Sequence, residues 1–292
     1  MSAPRTTGRT ASQPSQGEPD GSSGFDAPLS REAIEQALGK GNSVRVEVVE
    51  QTGSTNDDLL ELARLAVPDR PVLRVALHQV AGRGRHGRRW HDARGRALLF
   101  SVMTPWLRDP AAASAVTVAC GITAAEALRS RGIEARLKWP NDLLLSGRKL
   151  GGILTELAFD PRGRASLVVG VGVNLCLDPE TRVAIDQPAA ALDERIVETR
   201  LASEREQWVA VLALAVLDAM GGFERDGFAP FRARFDALFA YAGRPVVVMQ
   251  AGLPALAGVP AGIDEEGRLL LSTDAGVQAV SSGELSLRLS DA

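Results

Sequence analysis

The segment Gly82-Arg83-Gly84-Arg85-His86-Gly87-Arg88-Arg89-Trp90 holds three glycines and four arginines. Glycine at that density excludes a helix or a regular strand and lets a ligand come close to the backbone. The arginines supply planar, permanently charged donors for carboxylate or phosphate oxygens. The closing tryptophan can stack on a flat ring. Such a loop suits an anionic ligand carrying an aromatic group. Its chemistry alone equally describes a solvated basic loop, so the flanking sequence decides.

Residues 73–79 before it read as a buried strand, and residues 97–104 (ALLFSVMT) after it as another. A loop between two strands is where a rigid sheet would hold functional side chains. Further upstream, residues 44–50 alternate as a strand does, and Gln51-Thr52-Gly53 breaks the pattern. Ser54 or Thr55 then caps a helix with Asp57 and Asp58 in its first turn and Leu59, Leu62, Ala63 and Ala66 on one face; Pro68 and Pro71 end it. Ser30 caps an earlier short helix to about Leu38. Residues 1–27 are rich in Ser, Gly, Pro, Thr and Gln, with Phe25 as their one aromatic, and are expected to form a disordered tail. With a single helix before the first strand, no N-terminal DNA-binding domain is expected.

Downstream, Pro110 starts a long buried helix to about Arg131, with Gly132 just past it. Residues 135–138 form a short strand broken by Trp139-Pro140-Asn141-Asp142. Residues 143–145 and 149–157 pair as a hairpin, and 167–174 (LVVGVGVN) is an inner strand. Residues 178–202 read as a long surface connection, followed by helices over 204–223 and 228–239. From Arg244 the composition changes: strands over 246–250, 257–263, 268–272, 277–280 and 284–289 indicate a small barrel.

At 292 residues there is room for one large domain and a small one, and 45% hydrophobic and 24% charged residues are those of a soluble globular protein. A net charge of −3 supplies no global basic field for nucleic acid. The positive charge is local: residues 80–96 hold six arginines against one acid, Asp92. Cys120 and Cys176 lie far apart in apolar runs, as buried thiols of a reducing compartment do. The longest uncharged run, 111–125, is too short and too polar to cross a bilayer. A cytoplasmic protein without a membrane partner is expected.

Four places can carry chemistry. Ser54-Thr55-Asn56 sits at a helix N-terminus, where free N–H groups receive a polar head group or carboxylate, or it is an ordinary cap. Gln79 offers a donor and an acceptor beside Arg83 and Arg85, which can neutralise phosphate. Lys138 and Lys149 can face one anion, with Asn141 presenting an amide; Asp142 is a candidate to help hold Mg²⁺ beside substrate phosphates. Gly170 and Gly172 leave a floor for a flat ligand, with Asn174 in reach of a base edge; these glycines equally suit packing.

Together these segments resemble biotin–protein ligases. The resemblance rests on Ser54-Thr55-Asn56, on Gln79 followed by GRGRHGRRW, on KWPNDLLL with RKLGGILTE (residues 138–156), and on GVGVN (170–174), and runs from about Val44 to the end. It implies an α+β fold: a mixed β-sheet flanked by helices, the class II synthetase-like catalytic domain, over 28–241, and a small SH3-like barrel over 242–292, whose ending Gly283-Glu284-Leu285-Ser286-Leu287 matches. It implies biotin and ATP with Mg²⁺, a biotinyl-5′-AMP intermediate, and transfer to a lysine of a carboxylase's biotin carrier domain. By the resemblance, Ser54, Thr55, Asn56 and Gln79 hold biotin, while Arg83, Gly84 and Arg85 belong to the loop closing on the intermediate. Lys149 contacts its carboxylate–phosphate region with Lys138 close by, Trp90 stacks on adenine, and Asn141, Gly172 and Asn174 meet the nucleotide. Apart from the resemblance, Asp142 is expected to assist Mg²⁺ or the incoming amine. His86 stands where an arginine is common. The chain resembles the ligase-only type, with exposed sheet edges that permit a homodimer. A lipoate–protein ligase on the same scaffold is the nearest alternative, and a nucleotide-binding module without catalysis the next.

Overall fold

A computed structural model describes residues 24–185, 187–250, 254–281 and 285–289. Residues 1–23, most of the expected tail, and Gly283 and Glu284 lie outside the described residues. Strands β1 (Arg45–Thr52), β2 (Val72–Gln79), β3 (Ala97–Trp106), β4 (Ala135–Lys138), β5 (Asp142–Leu145), β6 (Arg148–Phe159) and β7 (Ala165–Asn174) form one sheet in the order β1-β2-β3-β7-β6-β5-β4. β1 and β2 run parallel and every other neighbouring pair is antiparallel, so the sheet is mixed. A parallel pair needs a crossover, and helix α2 (Thr55–Leu65) provides it.

Period-two alternation sends Leu167, Val169, Val171 and Val173 of β7 into the main core, with Leu98, Phe100 and Val102 of β3. Helices α3 (Ala113–Arg129) and α6 (Arg205–Asp226) pack there, with α1 (Arg31–Leu38) beside them. α3 with its leading turn, and α6, are long and apolar enough to cross a membrane. That corrects the reading of the first as too short. Their apolarity serves the sheet and each other: Val116, Ala119, Ile122, Val209, Leu212 and Val216 are all buried in this core. On the opposite face α2 covers a smaller cluster of Leu59, Leu60, Ala63, Met103 and Val168. The helix is rotated from the expected stripe, since Leu60 is buried and Leu62 is 37% exposed.

Ser30 caps α1 as expected, its Oγ accepting from the Ala33 N–H at 3.1 Å. Residues 24–27 depart from the tail reading. Phe25 is fully buried, and the guanidinium of buried Arg205 donates to the carbonyls of Phe25 (2.5 Å) and Ala27 (2.8 Å). The folded part therefore starts before residue 28, anchored on one aromatic and one buried cation. Arg205→Met would strand both carbonyls, and a loss of about 2–4 kcal/mol in urea unfolding is expected.

The 178–202 stretch is more than a surface connection. It contains α4 (Pro179–Ala184) and α5 (Glu198–Ser203), and Ala189–Leu192 are buried. Residue 189 forms a parallel bridge with Lys149: the Lys149 N–H donates to the Pro188 carbonyl and the Ala190 N–H to the Lys149 carbonyl. After α7 (Arg232–Leu238), strands β8 (Val246–Gln250), β9 (Leu256–Ile263), β10 (Leu269–Thr273), β11 (Gly276–Val280) and β12 (Leu285–Leu289) form an antiparallel sheet in the order β11-β10-β9-β8-β12. It accords with an SH3-like domain. The β4–β5 turn is fastened to it, because the fully buried Trp139 donates from Nε1 to the Gly267 carbonyl at 2.9 Å.

Candidate functional site

One cavity of about 310 Å³ lies on the α2 face of the large sheet. Its floor follows from strand alternation. Gly170, Gly172 and Asn174 of β7 face the side opposite Val169, Val171 and Val173, and Gly152 pairs across with Gly172. All fourteen residues picked out in the sequence line this cavity: Ser54, Thr55, Asn56, Gln79, Arg83, Gly84, Arg85, Trp90, Lys138, Asn141, Asp142, Lys149, Gly172 and Asn174.

At one end is a buried polar chain. The Gln79 Oε1 accepts from the Thr55 N–H (2.7 Å) and hydroxyl (3.0 Å), and Thr55 Oγ1 lies 2.7 Å from Ser101 Oγ. Ser101 donates to Asn56 Oδ1 at 2.5 Å, and Asn56 Nδ2 donates to Glu156 at 2.8 Å. Ser54 is the N-cap of α2 but makes no side-chain cap bond. The helix N-terminus is thus partly satisfied from within, by Gln79, where free N–H groups were expected. Asn56 stands close over Gly170: a Cβ there would lie 2.2 Å from Asn56 Oδ1. One step along β7, the Trp90 indole covers Gly172, where a Cβ would meet the ring at 2.8 Å. The two glycines therefore receive protein side chains, and the open floor expected for a flat ligand is already shaped by Asn56 and Trp90. The Trp90 Nε1–H is buried without a partner among the described residues.

Beside Gly152 are the cations. Lys149 Nζ is 2.7 Å from Asp142 Oδ1, and Lys138 Nζ is 4.0 Å from Asp142 Oδ2. Asp142 belongs to β5 and pairs with Lys138, so the Trp139–Asn141 segment is a tight turn of a second hairpin. Burial lowers the Arg85 guanidinium's affinity for its proton, and Asp142 opposes that shift. Asn141 donates its amide to the Ile153 carbonyl and Asn174 to the Ala190 carbonyl. Both amides thereby fix the walls.

The arginine loop is a flap with its own stem. Arg83 and Arg89 form an antiparallel bridge, the Gly84 N–H donates to the Arg88 carbonyl, and the Trp90 N–H donates to the Gly82 carbonyl. Arg85–Gly87 make a single 3-10 turn at the tip, where His86 adopts φ 58°. Arg83 differs from its expected role as a phosphate neutraliser. Its guanidinium donates to both Asp57 and Glu156, which hold its pKa up against burial. With two carboxylates against it, Arg83 pins the flap's stem to α2 and β6.

Asp142 does not suit a resident Mg²⁺. Each carboxylate oxygen faces a lysine ammonium, which competes with a cation. Outside the cavity, Cys176, Asp193 and Glu198 bring three donor atoms together. There the Arg96 guanidinium donates to Cys176 Sγ, and burial with the two carboxylates pushes the thiol up to about 12.

Four contributors were absent from the sequence reading: Ser101, Asp57 and Glu156 as partners of assigned residues, and the wall around Ala189. Ser101 had a signal, being the one polar side chain in the run 97–103 of an inner strand.

Residues 48–174 match the model of the Biotin/lipoate A/B protein ligase family, and residues 243–288 match the Biotin protein ligase C terminal domain. The chain is 34% identical over 262 residues to the bifunctional ligase/repressor BirA of Escherichia coli K12, covering 89% of this chain and 79% of that protein. It is 35% identical over 239 residues to the biotin–[acetyl-CoA-carboxylase] ligase of Paracoccus denitrificans, covering 80% and 97%. The solved biotin protein ligase from Aquifex aeolicus in complex with biotin and ATP superposes with a TM-score of 0.67 at 27% identity, covering 84% of this chain and 99% of that one.

Proposed function

Because the chain belongs to the biotin/lipoate A/B protein ligase family as a biotin–[acetyl-CoA-carboxylase] ligase, biotinylating protein through biotinyl-5′-AMP, we propose that these fourteen residues of the cavity divide that work along the floor of β7. The reading is supported above all by one observation. A neutral polar pocket at Gly170 and a tryptophan at Gly172 stand two residues apart on one strand, with Lys149 beside Gly152 across the ladder.

Positions two apart on a strand are about 7 Å from each other. That spacing lets biotin's ring system rest against Thr55, Asn56, Gln79 and Ser101 while adenine stacks on Trp90. The carboxylate of biotin and the α-phosphate of ATP then meet near Lys149. Two anions approaching each other need cations already in place, and Lys149, Lys138 and Arg85 provide them. The carboxylate oxygen attacks the α-phosphorus, and pyrophosphate leaves. An acceptor lysine amine then attacks the carbonyl of the mixed anhydride, and AMP leaves. Asp142 holds Lys149 in position and is the nearest carboxylate to receive a proton from the amine. Mg²⁺ enters with ATP as part of the substrate.

The partner is proposed to be a biotin carrier domain of a carboxylase, in the cytoplasm, where free Cys120 and Cys176 stay reduced; DNA and membrane play no part. Incubating the full chain with biotin, ATP, Mg²⁺ and a biotin carrier domain should add the biotinyl mass to one carrier lysine. A mass gain with lipoate and none with biotin would overturn the assignment. Water reaching the anhydride would waste it, so flap closure matters. Arg85→Gly is expected to speed loss of biotinyl-AMP by about tenfold or more, read by rapid quench. Unchanged retention would remove Arg85 from that role.

A further inference from the structure

Asp92 is the only acid within residues 80–96, and its side chain is fully buried. Its Oδ2 lies 2.9 Å from His78 Nδ1 and accepts a longer bond, 3.5 Å, from the Gln79 N–H. Among the described residues its Oδ1 is buried with no hydrogen-bond partner. A buried carboxylate so poorly supplied costs stability, and Asp92 does not line the cavity. Its place in the chain supplies a use. His78 and Gln79 are the last residues of β2 before the flap, and Asp92 is the second residue after Trp90, where the flap's stem ends. One carboxylate therefore joins the chain running into the flap to the chain running out of it. Gln79 carries the junction inward, since its side chain holds Thr55 in the cavity.

The contrast with the flap's upper part is informative. Trp90 Nε1 is a buried donor without a partner among the described residues, so the stem's inner end gains a bond when an acceptor arrives. The base, by comparison, is already tied on both strands.

We propose that His78 and Asp92 are a positioning pair that pins the base of the arginine flap, so that the flap closes over the cavity as a hinged unit and retains the activated intermediate. The proposal rests on the ligase reading above. Neither residue touches substrate; both act through the geometry of Gln79, Arg85 and Trp90.

The test uses the full chain with Asp92→Ala, His78→Ala and His78→Asn. Asparagine at 78 can place an amide N–H where Nδ1 stands, so it restores the bond without the ring. Two readouts are independent of each other: tryptic cleavage after the flap arginines without ligands, located by mass, and escape of biotinyl-AMP after its formation. Both alanine variants are expected to raise flap cleavage and biotinyl-AMP escape by about tenfold, with His78→Asn within about threefold of the parent. Flap cleavage unchanged in His78→Ala, or identical effects of alanine and asparagine at 78, would overturn the proposal. If Asp92→Ala is cut throughout the chain because it does not fold, the two His78 variants decide. If the parent forms no AMP from biotin and ATP, the ligase reading fails while the cleavage comparison still reports on the pair.

Discussion

Lys149→Met is expected to slow adenylate formation by about 10²–10³-fold, the cost of removing one preorganised charge from a site of developing negative charge. Methionine keeps the length and apolar stem of the side chain and loses only the ammonium. The effect has two parts. The cation that would meet the carboxylate–phosphate junction is gone, and Asp142, left with Lys138 at 4.0 Å, now repels the incoming anions. The second part predicts its own reversal: Asp142→Asn added to Lys149→Met should recover some of the lost rate, although Asp142→Asn alone should be harmful. Such non-additivity is what two groups in contact produce. Initial rates of biotin-dependent ATP–pyrophosphate exchange measure it. A Lys149→Met rate within a few-fold of the parent would place the junction elsewhere.

The other large effect is expected from a single methyl group. In Gly170→Ala the new Cβ would sit 2.2 Å from Asn56 Oδ1 and 2.9 Å from its Cγ. The strand is buried on its other face and held in ladders on both sides, so Asn56 must yield. Asn56 cannot move alone, because Ser101 donates to it and it donates to Glu156 and to the Leu154 carbonyl. Shifting it disrupts the polar chain through Thr55 to Gln79. We expect biotin binding to weaken by about 100-fold, equivalent to about 2.7 kcal/mol, from overpacking and broken buried hydrogen bonds. In an Asn56→Ala background the same methyl group has room, so the additional penalty of Gly170→Ala should shrink to a small factor. Isothermal titration with biotin on the four proteins of this cycle distinguishes a steric cause from a general loss of fold.

The strands, the long helices and fourteen of the residues that line the cavity could be read from the sequence, because each depends on local pattern or on a short motif. What escaped depends on partners distant in the chain. The insertion of β7 between β3 and β6 is a matter of pairing, which alternation does not encode. The 178–202 stretch is polar and proline-containing, yet its backbone is claimed by Lys149, and nothing in its composition announces that bridge. Phe25 sits in a polar segment and is buried because Gly95 and Arg205 make a place for it. Arg83 looks like its loop neighbours in one dimension. Only the approach of Asp57 from α2 and Glu156 from β6 turns it from a ligand for phosphate into an anchor. The buried face of α2 differs from the expected stripe for a related reason, since the helix is rotated to bring Asn56 over Gly170 as well as to bury leucines.

The bond from Trp139 to the Gly267 carbonyl bears on how such a chain can be recombined. The turn carrying Asn141 and Asp142 takes part of its shape from a strand connection more than a hundred residues later. A chain ending at residue 241 would keep every cavity residue and yet leave a fully buried indole donor unpaired in the turn that follows Lys138. The two matched segments, 48–174 and 243–288, are therefore not interchangeable modules. A chimaera that exchanged the small sheet with that of a relative would inherit active-site geometry along with it, and would need a carbonyl presented at the position of Gly267.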